Sequence, residues 1–113
     1  TLLLPDATPG LEVRTREGDW IEPPAVPDAF VCNIGDCLMR WTNDIYVSTP
    51  HRVRVPEQER YSIAFFLDPN PDADVTVLPA CVSDERPAKY PPTTGATYLA
   101  ERLTATQEFR RDM

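Results

Sequence analysis

Histidine is nearly missing from this chain. Of 113 residues only His51 carries an imidazole, so the sequence by itself cannot assemble a multi-histidine metal cluster. Glycine is almost as scarce, with four in all, too few to build a phosphate-cradling loop. The three cysteines, Cys32, Cys37 and Cys81, form an odd set without zinc-type spacing. They read as reduced, mostly buried thiols in a cytoplasmic protein. Basic residues are outnumbered, 11 Lys and Arg against 18 Asp and Glu. A net charge of −7 repels a phosphate backbone, and no basic stripe offsets it, which argues against nucleic acid as a partner. No apolar run approaches a membrane span, so no membrane partner is expected either. No basic start with a long apolar core marks a secretory signal.

What the chain does have is proline, 13 residues of it, and many short apolar-polar alternations. That combination points to a β-rich domain with frequent turns. Leu2–Leu4, Leu11–Arg14 and Trp20–Glu22 read as strands, and Ala29–Ile34 as the best buried-strand candidate of this half. Gly35-Asp36 bends the chain into Cys37–Trp41, and Thr42-Asn43-Asp44 makes a turn. Val75–Leu78 reads as a further short strand. Thr93 or Thr94 caps a final helix from about Ala96 to Arg110, with Tyr98, Leu99, Leu103 and Phe109 on one buried face. The expected division is 1–92 for the β part and 93–113 for the helix packed on it. The chain opens directly on the strand-like Thr1–Leu4, which suggests the C-terminal part of a larger domain that needs an N-terminal half.

The chemistry concentrates in Tyr46–Val55 and Arg60–Leu67, two strand-like runs around the polar Pro56–Glu59. The simplest arrangement is an antiparallel hairpin in which Val55 faces Arg60, Val53 faces Ser62 and His51 faces Ala64. Period-two alternation then puts His51, Arg60 and Ser62 on one face, with the levels of His51 and Arg60 about 13 Å apart. A metal on the imidazole and a short dicarboxylate reaching to the guanidinium would span that gap. His51 taken alone is more often a hydrogen-bonded core or surface residue than a ligand. Arg60, set among apolar neighbours, needs an anion. Either Asp36, Asp44 or another internal carboxylate supplies it, or a ligand carboxylate does, held in a bidentate fork with help from Ser62. Trp20 and Trp41 read as packing residues.

Several spaced segments together carry a resemblance. Asn33-Ile34-Gly35-Asp36, Trp41-Thr42-Asn43, Ser48-Thr49-Pro50-His51-Arg52-Val53 and Arg60-Tyr61-Ser62-Ile63-Ala64-Phe65-Phe66 resemble the C-terminal half of the iron(II)/2-oxoglutarate-dependent dioxygenases. The subgroup is the one that includes isopenicillin N synthase. Gly10–Arg14, Lys89–Pro92 and Gly95–Leu103 extend the likeness over nearly the whole chain. The resemblance implies a double-stranded β-helix, or jelly roll, holding one non-haem iron on two histidines and a carboxylate. It implies His51 as the second histidine ligand, and Arg60 with Ser62 as the grip on the distal carboxylate of 2-oxoglutarate. The implied reaction is oxidative decarboxylation of 2-oxoglutarate by dioxygen to succinate and CO2, coupled to oxidation of a small organic molecule by hydroxylation, desaturation or ring closure. The family's His-x-Asp ligands have no counterpart here, so the 113 residues alone are expected to be inactive and to bind little metal. Two alternatives stand beside this reading. One is a relative that needs no 2-oxoglutarate and grips a substrate carboxylate with Arg60 and Ser62. The other is a non-catalytic jelly-roll binding module.

Overall fold

The structure is a computed structural model, and it describes residues 1–111. The described residues fall into two compact units. One is Thr1–Gly35 with Val47–Leu67; the other comprises Asp36–Tyr46 and the chain from Asp68 onward.

The first unit is made of two three-stranded antiparallel sheets. β1 (Leu2–Pro5) is flanked by β4 (Val31–Cys32) and β6 (Ser62–Phe65), while β2 (Leu11–Arg14) is flanked by β3 (Trp20–Ile21) and β5 (His51–Val53). β5 and β6 are therefore not a hairpin. β5 pairs with β2, with Val13 opposite His51 and Leu11 opposite Val53. β6 pairs with β1, with Pro5 opposite Ser62 and Leu3 opposite Ala64. The expected Val55–Arg60 register fails because β2 takes the edge of β5 and β1 takes the edge of β6. The Arg54 amide donates to the Gly10 carbonyl at 3.0 Å, which keeps β5 on β2 beyond its last strand residue, and Pro56 then turns the chain away.

Side chains fix the faces of the second sheet. On one face Arg52 pairs with Glu12 at 2.7 Å and lies over the Trp20 ring, 4.1 Å from its centroid. Period-two alternation puts Leu11, Val13, Ile21, His51 and Val53 on the other. In the first sheet Leu2, Leu4, Ile63 and Phe65 share one face, and Leu3, Pro5, Ser62 and Ala64 the opposite one. Val31–Cys32 pairs only along an edge, and Cys32 is exposed, so the expected buried strand is short and peripheral.

The second unit begins with α1 (Asp36–Trp41), a helix where the sequence reading had only a bend. The turn after it matches expectation, with Asn43 and Asp44 at positive φ of 53° and 65°. Asn43 is fully buried and ties α1 to the long loop: its Nδ2 donates to the carbonyls of Cys81 and Pro87, both at 3.1 Å, and its Oδ1 accepts from the Lys89 amide at 2.9 Å. Val75 and Val77 form the buried apolar core here. Their segment is no strand; a single bridge joins Asp74 to Thr94. The last helix, α2 (Gly95–Arg111), starts as expected, with the Thr94 hydroxyl accepting from the Thr97 amide at 3.3 Å. Its apolar face is not buried, however: Tyr98 is half-buried and Leu99, Leu103 and Phe109 are exposed. Within this unit Asp68, Pro69 and Pro71 face the Leu99–Leu103 side of the helix across a shallow pocket.

Candidate functional site

His51 opens β5, Arg60 lies two residues before β6, and Ser62 is the first residue of β6. The point where their sheets meet is Gly10, just before β2. Gly10 is buried, and a methyl group added to it would stand 3.0 Å from Cδ and 3.1 Å from Nε of Arg60, and 3.6 Å from Cγ1 of Val53. The Arg60 stem and the Val53 side chain thus converge on the same bare Cα. Val53 shares its face of β5 with His51, two residues away, which is about 7 Å along the strand. Arg60 and the strand that carries His51 thus approach each other at Gly10, from two sheets rather than from one hairpin, while His51 and Ser62 themselves are exposed and do not line the cavity that Arg60 reaches.

The imidazole is set for one task. Nδ1 of His51 lies 3.0 Å from the Thr49 carbonyl, and a carbonyl oxygen only accepts, so Nδ1 carries the hydrogen. That leaves the Nε2 lone pair free, which is the tautomer a metal-ligating histidine needs. His51 fits one ligand position; among the described residues no group of three His, Cys, Asp or Glu side chains is placed to hold a metal ion.

The guanidinium is set for an anion. Nε of Arg60 is buried and has no hydrogen-bond partner. The internal carboxylates considered from sequence are committed elsewhere: Asp36 pairs with Arg102 at 2.6 Å, and Asp44 with Lys89 at 3.0 Å and the Tyr90 hydroxyl at 2.6 Å. Among the described residues Arg60 forms no ion pair. A buried, unpaired N–H is costly enough that a ligand oxygen there is the natural complement. A cavity of about 440 Å³ reaches the Arg60 side chain, walled by the Pro5–Leu11 loop, Pro23, Val26, Phe30 and Val31.

Sequence reasoning gave Asp6 no site role and took Gly10 only as the start of Gly10–Arg14, a segment that extends the resemblance. The Asp6 carboxylate accepts the Tyr61 amide at 2.7 Å and the Thr8 amide at 2.8 Å. These backbone donors, Tyr61 first, and the nearby positive charge of Arg60 hold its pKa below the ordinary carboxylate value, so Asp6 already lies within electrostatic reach of the guanidinium without pairing with it.

Two three-stranded antiparallel sheets and a C-terminal helix, with the imidazole on an edge strand of one sheet and the serine on an edge strand of the other, suit the C-terminal part of an oxygenase β-helix. The comparisons agree. Residues 1–69 match the model of the 2OG-Fe(II) oxygenase superfamily, and the chain belongs to that family. The chain is 45% identical over 96 residues to the 2-oxoglutarate-Fe(II) type oxidoreductase hxnY of Emericella nidulans, covering 83% of this chain and 28% of that protein. It is 41% identical over 100 residues to jasmonate-induced oxygenase 3 of Arabidopsis thaliana, again 28% of that protein. Among solved structures, a full-length Neurospora crassa protein in complex with alpha-KG and 5-formyluracil superposes with a TM-score of 0.83 at 36% identity, covering 92% of this chain and 35% of that one. The chain therefore spans about a third or less of the proteins it matches, and its fold is the C-terminal portion of a double-stranded β-helix with a C-terminal helix.

Proposed function

We propose that this chain is the C-terminal part of a non-haem iron(II)/2-oxoglutarate-dependent oxygenase acting on a small organic molecule. The observation that carries the reading is the buried, partnerless Nε of Arg60 beside the strand that carries His51. In it, Nε2 of His51 is one iron ligand, with its ring oriented by the Thr49 carbonyl. Arg60 offers a donor fork to the distal carboxylate of 2-oxoglutarate, and the Ser62 hydroxyl, two residues on along β6, adds a further donor. Bound iron(II) supplies the activation of dioxygen that decarboxylates 2-oxoglutarate to succinate and oxidises the substrate. The protein's own contribution is to orient the two ligands and fix the distance between them. Three unpaired cysteines support a reducing, cytoplasmic setting.

The test uses the full-length protein. Wild type forms succinate in step with oxygen uptake; His51→Ala loses iron(II) affinity, and Arg60→Ala raises the KM for 2-oxoglutarate at least about 100-fold, as loss of a buried charged grip on a ligand requires. Oxygen uptake without succinate would instead favour an oxidase that holds a substrate carboxylate with Arg60 and Ser62. The 113-residue chain alone binds iron(II) weakly and is inactive; stoichiometric tight binding in a calorimetric titration would refute that.

A further inference from the structure

Three consecutive residues around the arginine are held by one short loop. Thr8 Oγ1 donates to the Glu59 carbonyl at 3.2 Å. The Asp6 carboxylate accepts the Tyr61 amide at 2.7 Å, and the Asp6 amide donates back to the Tyr61 carbonyl at 3.2 Å. The Tyr61 hydroxyl donates to the Glu59 carboxylate, tying the flanks of Arg60 to each other. Between these pins, the Arg60 stem lies directly on the Cα of Gly10. The backbone before β6 is thus fixed on both sides of Arg60, and the side chain has a floor under it.

We propose that the Asp6–Gly10 loop is the positioning element of the co-substrate grip, with Asp6 and Gly10 setting 2-oxoglutarate affinity through Arg60 and without touching the ligand. The proposal rests on the reading of Arg60 given above. Its physical core is the absence of slack. Because Glu59 and Tyr61 are pinned, a Cβ at position 10 cannot be accommodated by moving the Arg60 backbone. The stem must rotate instead, which swings the guanidinium and spoils a fork that depends on direction as well as charge. Releasing Tyr61 by removing the Asp6 acceptors has the converse effect: the segment loosens, and Arg60 spends less time in its binding pose.

The experiment is calorimetric titration of 2-oxoglutarate into the full-length protein loaded with Zn(II) in place of iron, with KM and kcat measured in parallel on the iron enzyme. The stem must shift by a few tenths of an ångström in Gly10→Ala, which weakens binding by roughly 5- to 20-fold, part of what loss of a charge-assisted hydrogen bond would cost, and Gly10→Val weakens it further. Asp6→Ala weakens binding to a degree similar to Gly10→Ala, and Asp6→Asn, which keeps one acceptor oxygen, falls between it and wild type. In the Asp6 variants KM rises while kcat and metal affinity hold, because Asp6 bonds the segment that carries Arg60; in the Gly10 variants, whose new Cβ also stands 3.6 Å from Val53 on the His51 strand, 2-oxoglutarate affinity falls more than metal affinity. The proposal is overturned if the folded Gly10 and Asp6 variants bind 2-oxoglutarate like wild type, or if metal affinity and 2-oxoglutarate affinity fall together in proportion, which marks general disruption. Arg60→Ala separates this from failure of the underlying reading: if it too binds 2-oxoglutarate normally, Arg60 is no grip at all. Should Gly10→Val fail to fold, Gly10→Ala and the Asp6 pair decide.

Discussion

Asn43 is the residue whose loss the second unit should feel most. Its side chain is fully buried and satisfies three backbone groups: two carbonyls, of Cys81 and Pro87, and the Lys89 amide. It also sits at φ 53°, a left-handed conformation that asparagine tolerates better than other side chains. In Asn43→Ala the three partners lose their bonds at about 1–3 kcal/mol each, the lower end applying wherever water enters the gap. An alanine held at positive φ adds about 1 kcal/mol more. The expected loss is therefore about 4 kcal/mol. Two further substitutions apportion it. Asn43→Gly loses the same bonds but not the backbone strain, so it is the milder change. Asn43→Asp keeps the acceptor for Lys89 but turns a carboxylate oxygen toward two carbonyls, which makes it at least as damaging as alanine. Urea midpoints of the full-length variants give the ranking, and exchange of the Lys89 amide reads the local opening directly. An alanine variant within 1 kcal/mol of wild type, or a glycine variant less stable than alanine, would refute the reasoning.

Other outcomes follow from the same structure. Burial, with Asp36 nearby, pushes the Tyr98 hydroxyl up to about 12 from an ordinary 10. The folded state keeps that proton after the unfolded chain has lost it, so stability is intact below pH 10 and falls as pH rises toward 12. Tyr98→Phe should lose less stability than wild type over that interval in alkaline urea titrations, and identical curves would contradict the assignment. At Gly95, a Cβ would collide with the Asn70 backbone carbonyl, so Gly95→Ala should cost about 1–3 kcal/mol despite the higher helix propensity of alanine; a stabilised variant would show that the loop yields. The 113-residue chain alone should self-associate through the face of Leu2, Leu4, Ile63 and Phe65, where Ile63 is 69% and Phe65 57% exposed. A clean monomer on size-exclusion chromatography would count against this.

How much of this was legible in the sequence depends on the range of each interaction. β1, β2, β3, the turn at Asn43 and the capped final helix are written in local pattern: alternation, positive-φ residues and a threonine ahead of the helix. The partners of β5 and β6 are not. Two strand-like runs with four polar residues between them suit a hairpin, and nothing local shows that Leu2–Pro5 and Leu11–Arg14 compete successfully for the same edges. Likewise, the apolar spacing of Leu99, Leu103 and Phe109 describes a face wanting cover but does not show that Pro69 and Pro71 offer so little of it.

The hairpin is not formed, yet the assignment of residues to faces within a strand does not depend on it. Alternation fixes which residues of one strand look the same way whatever strand lies beside it, so His51 with Val53 was a safe inference within β5, whereas Arg60 lies before β6 and outside that rule. Joining the two segments needed a long-range fact, and Gly10 supplies it by receiving Val53 from one side and Arg60 from the other. A residue there with any side chain would hold the two apart. Gly10 is thus where the strand that carries the imidazole and the segment that carries the guanidinium come together, and the spacing between them rests on the packing at position 10 rather than on a hydrogen-bonded register between β5 and β6.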